Sequence, residues 1–292
     1  MQEIKYIDRR TGEIKTEKVP GEKYLKFFYQ TGLGKVPLAA LIKRKITSAV
    51  GGWYMDSKRS KKNIDKFIAD HGMDLSDYVV PKGGFKHFND FFYRKLKPGA
   101  RPIEDGIVSP ADGKILVFPK VSDVPKFFVK GSEFDLDNFL NNKKLADKYK
   151  EGAMCIIRLA PVDYHRYHFP VKGMASENVK IKGAYYSVSP LALNKKLDIF
   201  VQNKREYMTV QSKEAGEVLI CDVGATMTGG IEQTYTPNSI VEKGQEKGYF
   251  KFGGSTIVVL FEPETITFNQ DLIENTQNDL ETTIFMGEQI GE

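Results

Sequence analysis

The sequence has few of the residues that build metal sites and disulfides: two cysteines, four histidines and one tryptophan among 292 residues. Cys155 and Cys221 lie far apart in apolar stretches, a pattern that excludes the close cysteine pairs of zinc sites and indicates reduced core residues. The longest apolar runs, 36–42 and 256–261, are too short to cross a bilayer. The first residues are polar and charged, without the apolar segment of a signal peptide. We therefore expect a cytosolic protein without a metal, and contact with a membrane surface stays open.

Charge is distributed unevenly along the chain. Residues 35–66 contain nine Lys or Arg against two Asp or Glu, whereas residues 262–292 contain eight acidic residues and no basic one. A basic segment rich in aromatic residues is typical of contact with an anionic lipid surface. The candidate membrane-binding residues are Phe27, Phe28, Lys43, Arg44, Lys45 and Trp53. Packing of the apolar side chains on the rest of the protein, with the lysines in water, explains the same pattern equally well.

The composition, 41% hydrophobic and 28% charged, is that of a globular protein. Up to about residue 100 the apolar periodicity is helical, and after Pro102 it changes to short strands separated by turns. The predicted elements are a hairpin within 1–20, helices at 37–53, 62–71, 85–96 and 136–149, and strands at 113–118, 154–159, 179–186, 207–211, 217–223 and 256–261. The predicted fold class is α+β, with a helical membrane-associating region (1–100) followed by a β-rich domain (101–292).

The stretch Gly253-Gly254-Ser255 stands immediately before the apolar run 256–261. Two glycines relieve the backbone of side-chain clashes, and the run that follows reads as a buried strand. Taken alone, this pattern is most often a bulge or tight turn that leads into a core strand. It could also present the Ser255 hydroxyl, or the peptide bond before it, to a catalytic partner.

Two further stretches supply such partners. His165 and His168 stand three residues apart between Pro161 and Pro170, a spacing that places them on opposite faces of a strand. Asp112 follows Ser-Pro-Ala in an ordinary turn signal. An aspartate, a histidine and a serine are the parts of a catalytic triad. A metal site at the histidine pair is the weaker interpretation, because no third ligand stands at a suitable spacing.

The three motifs Ser-Pro-Ala-Asp-Gly-Lys, Asp-Tyr-His-Arg-Tyr-His and Gly-Gly-Ser-Thr, in this order, resemble the phosphatidylserine decarboxylase proenzyme family. The resemblance covers most of the chain from Phe85 onward. This sequence departs from the family pattern at Gly253, where the family usually has leucine, and at Ser189, where it often has asparagine. Neither departure touches the reactive atoms, but the second leaves details of the substrate pocket open.

The resemblance implies a pyruvoyl-dependent carboxy-lyase of phospholipid biosynthesis that is made as a zymogen. His168, oriented by Asp112, would take the proton of Ser255, and the chain would cut itself between Gly254 and Ser255 into residues 1–254 and 255–292. Ser255 would become a covalent pyruvoyl group that forms a Schiff base with the amine of phosphatidylserine. His165 would return a proton after carbon dioxide leaves, and the product would be phosphatidylethanolamine.

The resemblance also suggests where substrate and partners bind. Tyr164, Ser187 and Ser189 are candidates for substrate binding. The substrate would be phosphatidylserine in an anionic membrane, with the enzyme peripheral on the cytoplasmic face. The two fragments would stay together as a heterodimer, no metal or nucleic acid is expected, and a homo-oligomer is left open.

Three other functions fit parts of the pattern. A triad serine hydrolase acting on lipid or peptide would keep Ser255 as a hydroxyl. A pyruvoyl decarboxylase of a soluble amino acid would not need the basic, aromatic N-terminal region. A non-enzymatic module could bind lipid or nucleic acid through the same basic region, although the sequence contains no recognised nucleic-acid motif.

Overall fold

The fold was obtained as a computed structural model that describes residues 5–17, 51–123, 135–183, 203–224 and 230–292. Within these ranges the chain is mostly strand, with a few short helices. The mixed α and β class is therefore confirmed. Most of the basic, aromatic N-terminal segment, residues 18–50, lies outside the described residues.

The described residues contain sixteen strands. In chain order they are β1 Lys5–Ile7, β2 Ile14–Thr16, β3 Ile107–Val108, β4 Gly113–Phe118, β5 Ala153–Leu159, β6 Arg166–His168, β7 Gly173–Ala175, β8 Val179–Ile181, β9 Arg205–Gln211, β10 Glu217–Gly224, β11 Ile231–Gln233, β12 Ser239–Val241, β13 Glu246–Phe250, β14 Ser255–Phe261, β15 Glu281–Ile284 and β16 Gln289–Gly291. The helices are α1 Ile64–His71, α2 Phe88–Phe92, α3 Leu136–Leu140, α4 Lys143–Tyr149 and α5 Gln270–Gln277, with 3-10 turns at Lys58–Asn63 and Val121–Asp123 and further helical residues at 51–55.

Eleven of these strands form one sheet. The order is β12-β7-β9-β10-β14-β5-β4-β15-β1-β2, and β8 also pairs with β9. Neighbouring strands are antiparallel except β1 and β15, which run parallel. Strands β11, β13 and β6 form a second, three-stranded sheet, and β16 pairs with β3.

The long apolar runs gave the best predictions. Strand β4 has the predicted bounds, and β5, β9, β10 and β14 lie within two residues of theirs. The helix predicted over 85–96 is wrong in extent, because His87 caps α2 by accepting a hydrogen bond from the Asp90 N–H and the helix ends at Phe92, with Tyr93 as its C-cap. The helix predicted over 136–149 is two helices, because Asn141 adopts a left-handed conformation with φ 48° and Asn142 caps the second one.

Two hydrophobic layers cover the two faces of the large sheet. Along β14, Ile257 and Val259 face a core shared with α5 and the three-stranded sheet, whereas Val258 and Leu260 face a core shared with α3 and α4. The alternation follows from the two-residue period of a strand. The two cysteines are buried and free, and they belong to opposite layers.

A buried ion pair joins the two larger sheets. Asp222 on β10 accepts hydrogen bonds from Lys247 Nζ on β13 and from Gln233 Nε2, the latter at 2.8 Å. Both charged side chains have an exposed fraction of 0%. A charge pair taken out of water is retained only with its counter-charge and hydrogen bonds in place. This pair therefore fixes how the three-stranded sheet lies over the large one.

Replacing one member of this ion pair should lower the free energy of unfolding more than replacing both members. Lys247→Met leaves the Asp222 carboxylate without its counter-charge and is expected to lower the free energy of unfolding by about 3–5 kcal/mol. The double variant Lys247→Met/Asp222→Leu should recover most of that loss. Chemical denaturation measures both, and Lys172→Met, which breaks an ion pair with side chains exposed by 62%, should change little. A double variant no more stable than Lys247→Met would contradict this prediction.

Candidate functional site

Ser255 is the first residue of β14 and is fully buried, with an exposed fraction of 0%. Its neighbours across the sheet are Gly224 on β10 and Leu159 on β5. Because side chains alternate along a strand, Ser255 shares the face of Ile257, which is turned to the three-stranded sheet. Within the described residues its hydroxyl has no hydrogen-bond partner. A buried hydroxyl without a partner is costly and commonly marks a functional position.

The connection before Ser255 leads from one sheet to the other. Strand β13 of the three-stranded sheet ends at Phe250, and β14 of the large sheet begins at Ser255. Gly253 in this connection has φ 154°, a value that side-chain-bearing residues rarely adopt. A leucine would be strained there, so the glycine suits the observed path of the chain.

His165 lies on the inner side of the three-stranded sheet. His165 stands two residues before Tyr167, so by strand alternation the two side chains point to the same side, and Tyr167 packs into the core between the sheets. The centroid of the His165 ring lies 3.8 Å from the centroid of the Phe92 ring. Nδ1 is 2.9 Å from the Asp163 carbonyl oxygen. Since a carbonyl can only accept, Nδ1 carries the proton and Nε2 is a lone pair. That Nε2 is buried without a partner among the described residues, and burial lowers the pKa of His165 to about 3.

His168 lies on the opposite face of β6, as its three-residue spacing from His165 predicts for a strand. Nδ1 is 2.9 Å from the Gly244 carbonyl oxygen, and Nε2 is 3.1 Å from the Tyr164 hydroxyl. The carbonyl fixes the proton on Nδ1, so Nε2 accepts the hydrogen bond from Tyr164. Burial lowers the pKa of His168. Both imidazoles are therefore neutral bases near pH 7.

Asp112 is held by a cationic side chain. Arg101 donates to both of its carboxylate oxygens, with the shortest distance 2.8 Å from Nη2. The Met286 N–H donates to Oδ1 at 2.8 Å. Only 4% of the residue is exposed, and Arg101 also donates to Asp77 at 2.7 Å. The sequence contains Arg101 shortly before the Ser-Pro-Ala-Asp-Gly motif, but we did not predict its role.

His168 and the partners of Asp112 meet at an open cleft of about 320 Å³. Tyr164, His168, Arg101 and Met286 contribute to its wall. His168 thus lines the same cleft as two partners of Asp112, whereas Asp112 itself is not part of the cleft wall, and no hydrogen bond among the described residues joins Asp112 to His168. Ser255 is instead buried on the face of the large sheet that is turned to the three-stranded sheet, and His165 is buried against Phe92. Neither imidazole is hydrogen-bonded to the Ser255 hydroxyl.

The remaining candidates are only partly covered. Tyr164 is 2% exposed and contacts His168, which agrees with a place near the site. Trp53 is exposed by 74%. The other candidates for substrate or membrane contact lie outside the described residues: Ser187, Ser189, Phe27, Phe28, Lys43, Arg44 and Lys45.

Metal-binding clusters and membrane-spanning helices are both absent from the described residues. No group of three or more His, Cys, Asp or Glu side chains is arranged to hold a metal ion in that part of the chain. No helix found there combines the length and hydropathy needed to cross a membrane.

Comparison with known proteins gives a consistent set of relatives. The family model described as phosphatidylserine decarboxylase matches residues 88–292. The chain is 53% identical to a phosphatidylserine decarboxylase proenzyme of Fusobacterium nucleatum, with 99% of this chain and 98% of the relative aligned. It is 48% identical to the proenzyme of Clostridium novyi, with 99% of both aligned. It is 42% identical to that of Chlamydia trachomatis serovar L2, with 99% and 97% aligned.

The low pKa of His165 should make stability depend on pH. An unfolded histidine takes up a proton below about pH 6.5, whereas folded His165 stays neutral down to about pH 3. Between these pH values the unfolded state binds more protons than the folded state. The contribution of neutral His165 to the free energy of unfolding is therefore fully present above pH 6.5 and is lost as the pH falls, by up to about 1.4 kcal/mol per pH unit. Denaturation between pH 6.5 and 4 should give a steeper decline for the wild type than for His165→Gln. Equal slopes would contradict the prediction.

Proposed function

The chain belongs to the phosphatidylserine decarboxylase family, and from that premise we propose that it converts phosphatidylserine to phosphatidylethanolamine with a pyruvoyl group made from its own Ser255. The observation that carries the proposal is the Ser255 hydroxyl. It is fully buried and without a partner among the described residues, it follows two glycines, and it lies within the matched range 88–292. A serine in this state fits the precursor of a covalent cofactor.

The first reaction is self-cleavage. Ser255 Oγ attacks the carbonyl carbon of Gly254, its proton passes to a base, and the peptide nitrogen leaves as an amine, so that the peptide bond becomes an ester. Elimination across Cα and Cβ then releases a chain that ends at Gly254. The residue left at 255 takes up water and loses ammonia to become the pyruvoyl group. No outside oxidant or reductant is needed.

We assign the base to His168, with Asp112 as its orienting carboxylate. What supports this is the state of His168 Nε2, a lone pair on a neutral ring whose Nδ1 proton is fixed by Gly244. In the structure His168 lies at the cleft, on the face of β6 turned away from the large sheet, so this role requires a rearrangement that frees Nε2 from Tyr164 and brings it to the Ser255 hydroxyl. One observation favours His165 in the same role, since its Nε2 is also a lone pair and has no partner among the described residues. The variants described below separate the two assignments.

The fragment 255–292 would remain bound after cleavage because its contacts do not depend on the scissile bond. It contributes β14, β15, β16 and α5 to the fold. Strand β14 is paired on both sides, and β15 lies between β4 and β1. Cleavage would therefore yield a two-chain enzyme whose core is unchanged.

The second reaction is decarboxylation. A pyruvoyl group at position 255 supplies an electron sink for the charge left when carbon dioxide departs from an amino acid head group. We assign the return of a proton to His165, which stands immediately before β6 on the side that faces the large sheet. Its Nε2 is a lone pair in the resting ring, so this nitrogen would first take up the one proton that each turnover consumes from the medium. Phe92 against its ring keeps water away, and exclusion of water strengthens interactions in such a site.

The substrate places the enzyme at an anionic membrane, and we propose peripheral binding on the cytoplasmic face. Support comes from the basic segment 35–66 and from Trp53, which is exposed by 74%. Tyr164 is proposed to contact the substrate from the cleft. Ser187 and Ser189, the other candidates, keep that role as a proposal, as does the division into regions 1–100 and 101–292.

Intact-mass measurement tests the chemistry directly. The purified protein should consist of two chains divided between Gly254 and Ser255, and an amine with cyanoborohydride should add mass to the small chain only. Ser255→Ala should remain a single inactive chain. Thr256→Val is the matched control, because Thr256 is also buried without a hydroxyl partner in the described part of the chain but lies on the opposite face of β14. A single unmodified chain with full activity would overturn the pyruvoyl mechanism.

Replacing the two histidines one at a time should affect self-cleavage and decarboxylation separately. His168→Ala and Asp112→Asn should slow cleavage, because each removes part of the proposed base, by about 10²- to 10⁴-fold. His165→Gln should leave cleavage within a few-fold of wild type and reduce decarboxylation per cleaved chain by about 10²- to 10⁴-fold. Cleavage is followed by gel and decarboxylation by release of carbon dioxide.

The control for these variants is His71→Gln. His71 is the last residue of α1 and its Nδ1 is 2.9 Å from the Phe67 carbonyl oxygen, so this change should affect neither reaction. Loss of cleavage in His165→Gln, with cleavage intact in His168→Ala, would reverse the assignment of the two imidazoles.

A further inference from the structure

The segment just before the cleavage site is anchored at three consecutive residues. Phe250, Lys251 and Phe252 each donate a backbone N–H hydrogen bond, in order, to the His165 carbonyl at 2.9 Å, the Gly230 carbonyl at 2.9 Å and the Asn89 side-chain Oδ1 at 2.8 Å. Only the last bond is made by a side chain. It is also the bond nearest to the Gly254–Ser255 peptide.

Asn89 is fully buried in α2, with an exposed fraction of 0%. Its Nδ2 donates to Asp56 Oδ1 at 2.9 Å, and the other oxygen of Asp56 lies 3.5 Å from Lys251 Nζ. The partners fix the orientation of the amide, because the Phe252 N–H requires an acceptor and the carboxylate requires a donor. Asn89 and Asp56 therefore hold both the backbone and a side chain of the segment.

Aromatic contacts hold the same residue from another side. The ring of Phe252 lies edge-on to those of Phe88 and Phe92, with centroid distances of 5.1 Å to each. Phe92 in turn contacts His165. One short helix, α2, thus joins the cleavage segment to a histidine of the proposed site.

Beyond Phe252 the anchoring stops until the strand begins. No hydrogen bond to the backbone of Gly253 or Gly254 occurs within the described residues, whereas Ser255 is already paired in β14. Considering the described residues alone, the two glycines therefore form a short span without backbone hydrogen bonds between two fixed ends. Where the Gly254 carbonyl lies depends on both ends.

We propose that Asn89 is a positioning residue for self-cleavage, which holds Phe252 so that the Gly254 carbonyl stays within reach of Ser255 Oγ. This inference rests on the proposed function. Without the Asn89 bond, the upstream end of the glycine span gains freedom, and the share of molecules in attacking geometry falls. Loss of positioning at a reacting centre costs about 100-fold in rate.

The experiment follows cleavage of newly made full-length chain by pulse–chase in cell-free synthesis. Asn89→Leu, which is similar in size and has no polar atoms, should cleave about 100-fold more slowly than wild type. Phe67→Leu is the control for stability, because Phe67 contacts Phe88 and Phe91 in the same aromatic cluster but has no ring contact with Phe252. At a comparable loss of melting temperature it should cleave at the wild-type rate.

An exchange variant tests the hydrogen bonds themselves. Asn89→Asp keeps an acceptor for Phe252 but sets a second carboxylate against Asp56, so alone it should slow cleavage. Adding Asp56→Asn restores a donor opposite the new carboxylate and leaves the net charge as in wild type, so Asn89→Asp/Asp56→Asn should recover most of the rate. This pair of variants gives the same comparison if Asn89→Leu does not fold.

The outcomes separate the two proposals. If the wild-type chain is never cleaved, the proposed function fails and this inference fails with it. If the wild type is cleaved, three results overturn the positioning role alone: wild-type cleavage in both Asn89→Leu and Asn89→Asp, equal slowing in Phe67→Leu at equal loss of melting temperature, or no recovery in the exchange variant.

Discussion

Strand β14 is paired along its length on both sides, with β10 and with β5, and the rest of the site depends on this double pairing. The register of β14 determines the face of the sheet on which the Ser255 side chain lies, because a shift of one residue would move every side chain of the strand to the opposite face. Its hydroxyl is therefore committed to the space between the sheets. The proposed reactive position is therefore set by long-range pairing of buried strands, while the glycines before it let the chain reach that register.

The same pairing explains how the two fragments would stay associated after the proposed cleavage between Gly254 and Ser255. The peptide before Ser255 lies at the edge of the paired region, so the pairing of residues 256–261 with β5 does not depend on it. Residues after it return to the sheet at β15, which β1 and β4 flank, and α5 buries Leu272 in the core. Even the N-terminal hairpin takes part, since Arg9 bonds to Asp271 at 2.7 Å. A cut at this point leaves the pairing of β15 with β1 and β4 in place.

The sequence was informative where a signal is local and strong. Strands β4, β5, β9, β10 and β14 were predicted because each is an apolar run long enough to be recognised. Strands such as β6, β7 and β11 have three residues each, too few to show a period, and they were missed. The hairpin at β1 and β2 was predicted from a turn signal, and Gly12 there has φ 70°.

The candidate site residues could be proposed from motifs, but their contacts could not be predicted. Asp112, His165, His168 and Ser255 stand in recognisable motifs, so the sequence was enough to propose them. Asn89 could not be found in this way, because its partner Phe252 is 163 residues away and the bond uses a backbone N–H that leaves no trace in residue type. The same holds for Phe92 against His165. Such contacts exist only once the sheets have packed.

His168 lies in β6 and His165 stands immediately before it with the opposite parity, and in the proposed mechanism this bears on how one site could carry out two reactions. A proton donor for turnover would be needed at position 255 in every cycle, so it would have to lie permanently on the side that faces the large sheet, the side to which the parity of His165 assigns it. A base for self-cleavage is needed once in the life of the chain. The proposed base, His168, can be held neutral at the cleft by its hydrogen bonds with Gly244 and Tyr164. It would act only in the precursor. A three-residue spacing on a strand is the shortest arrangement beyond direct neighbours that gives both positions.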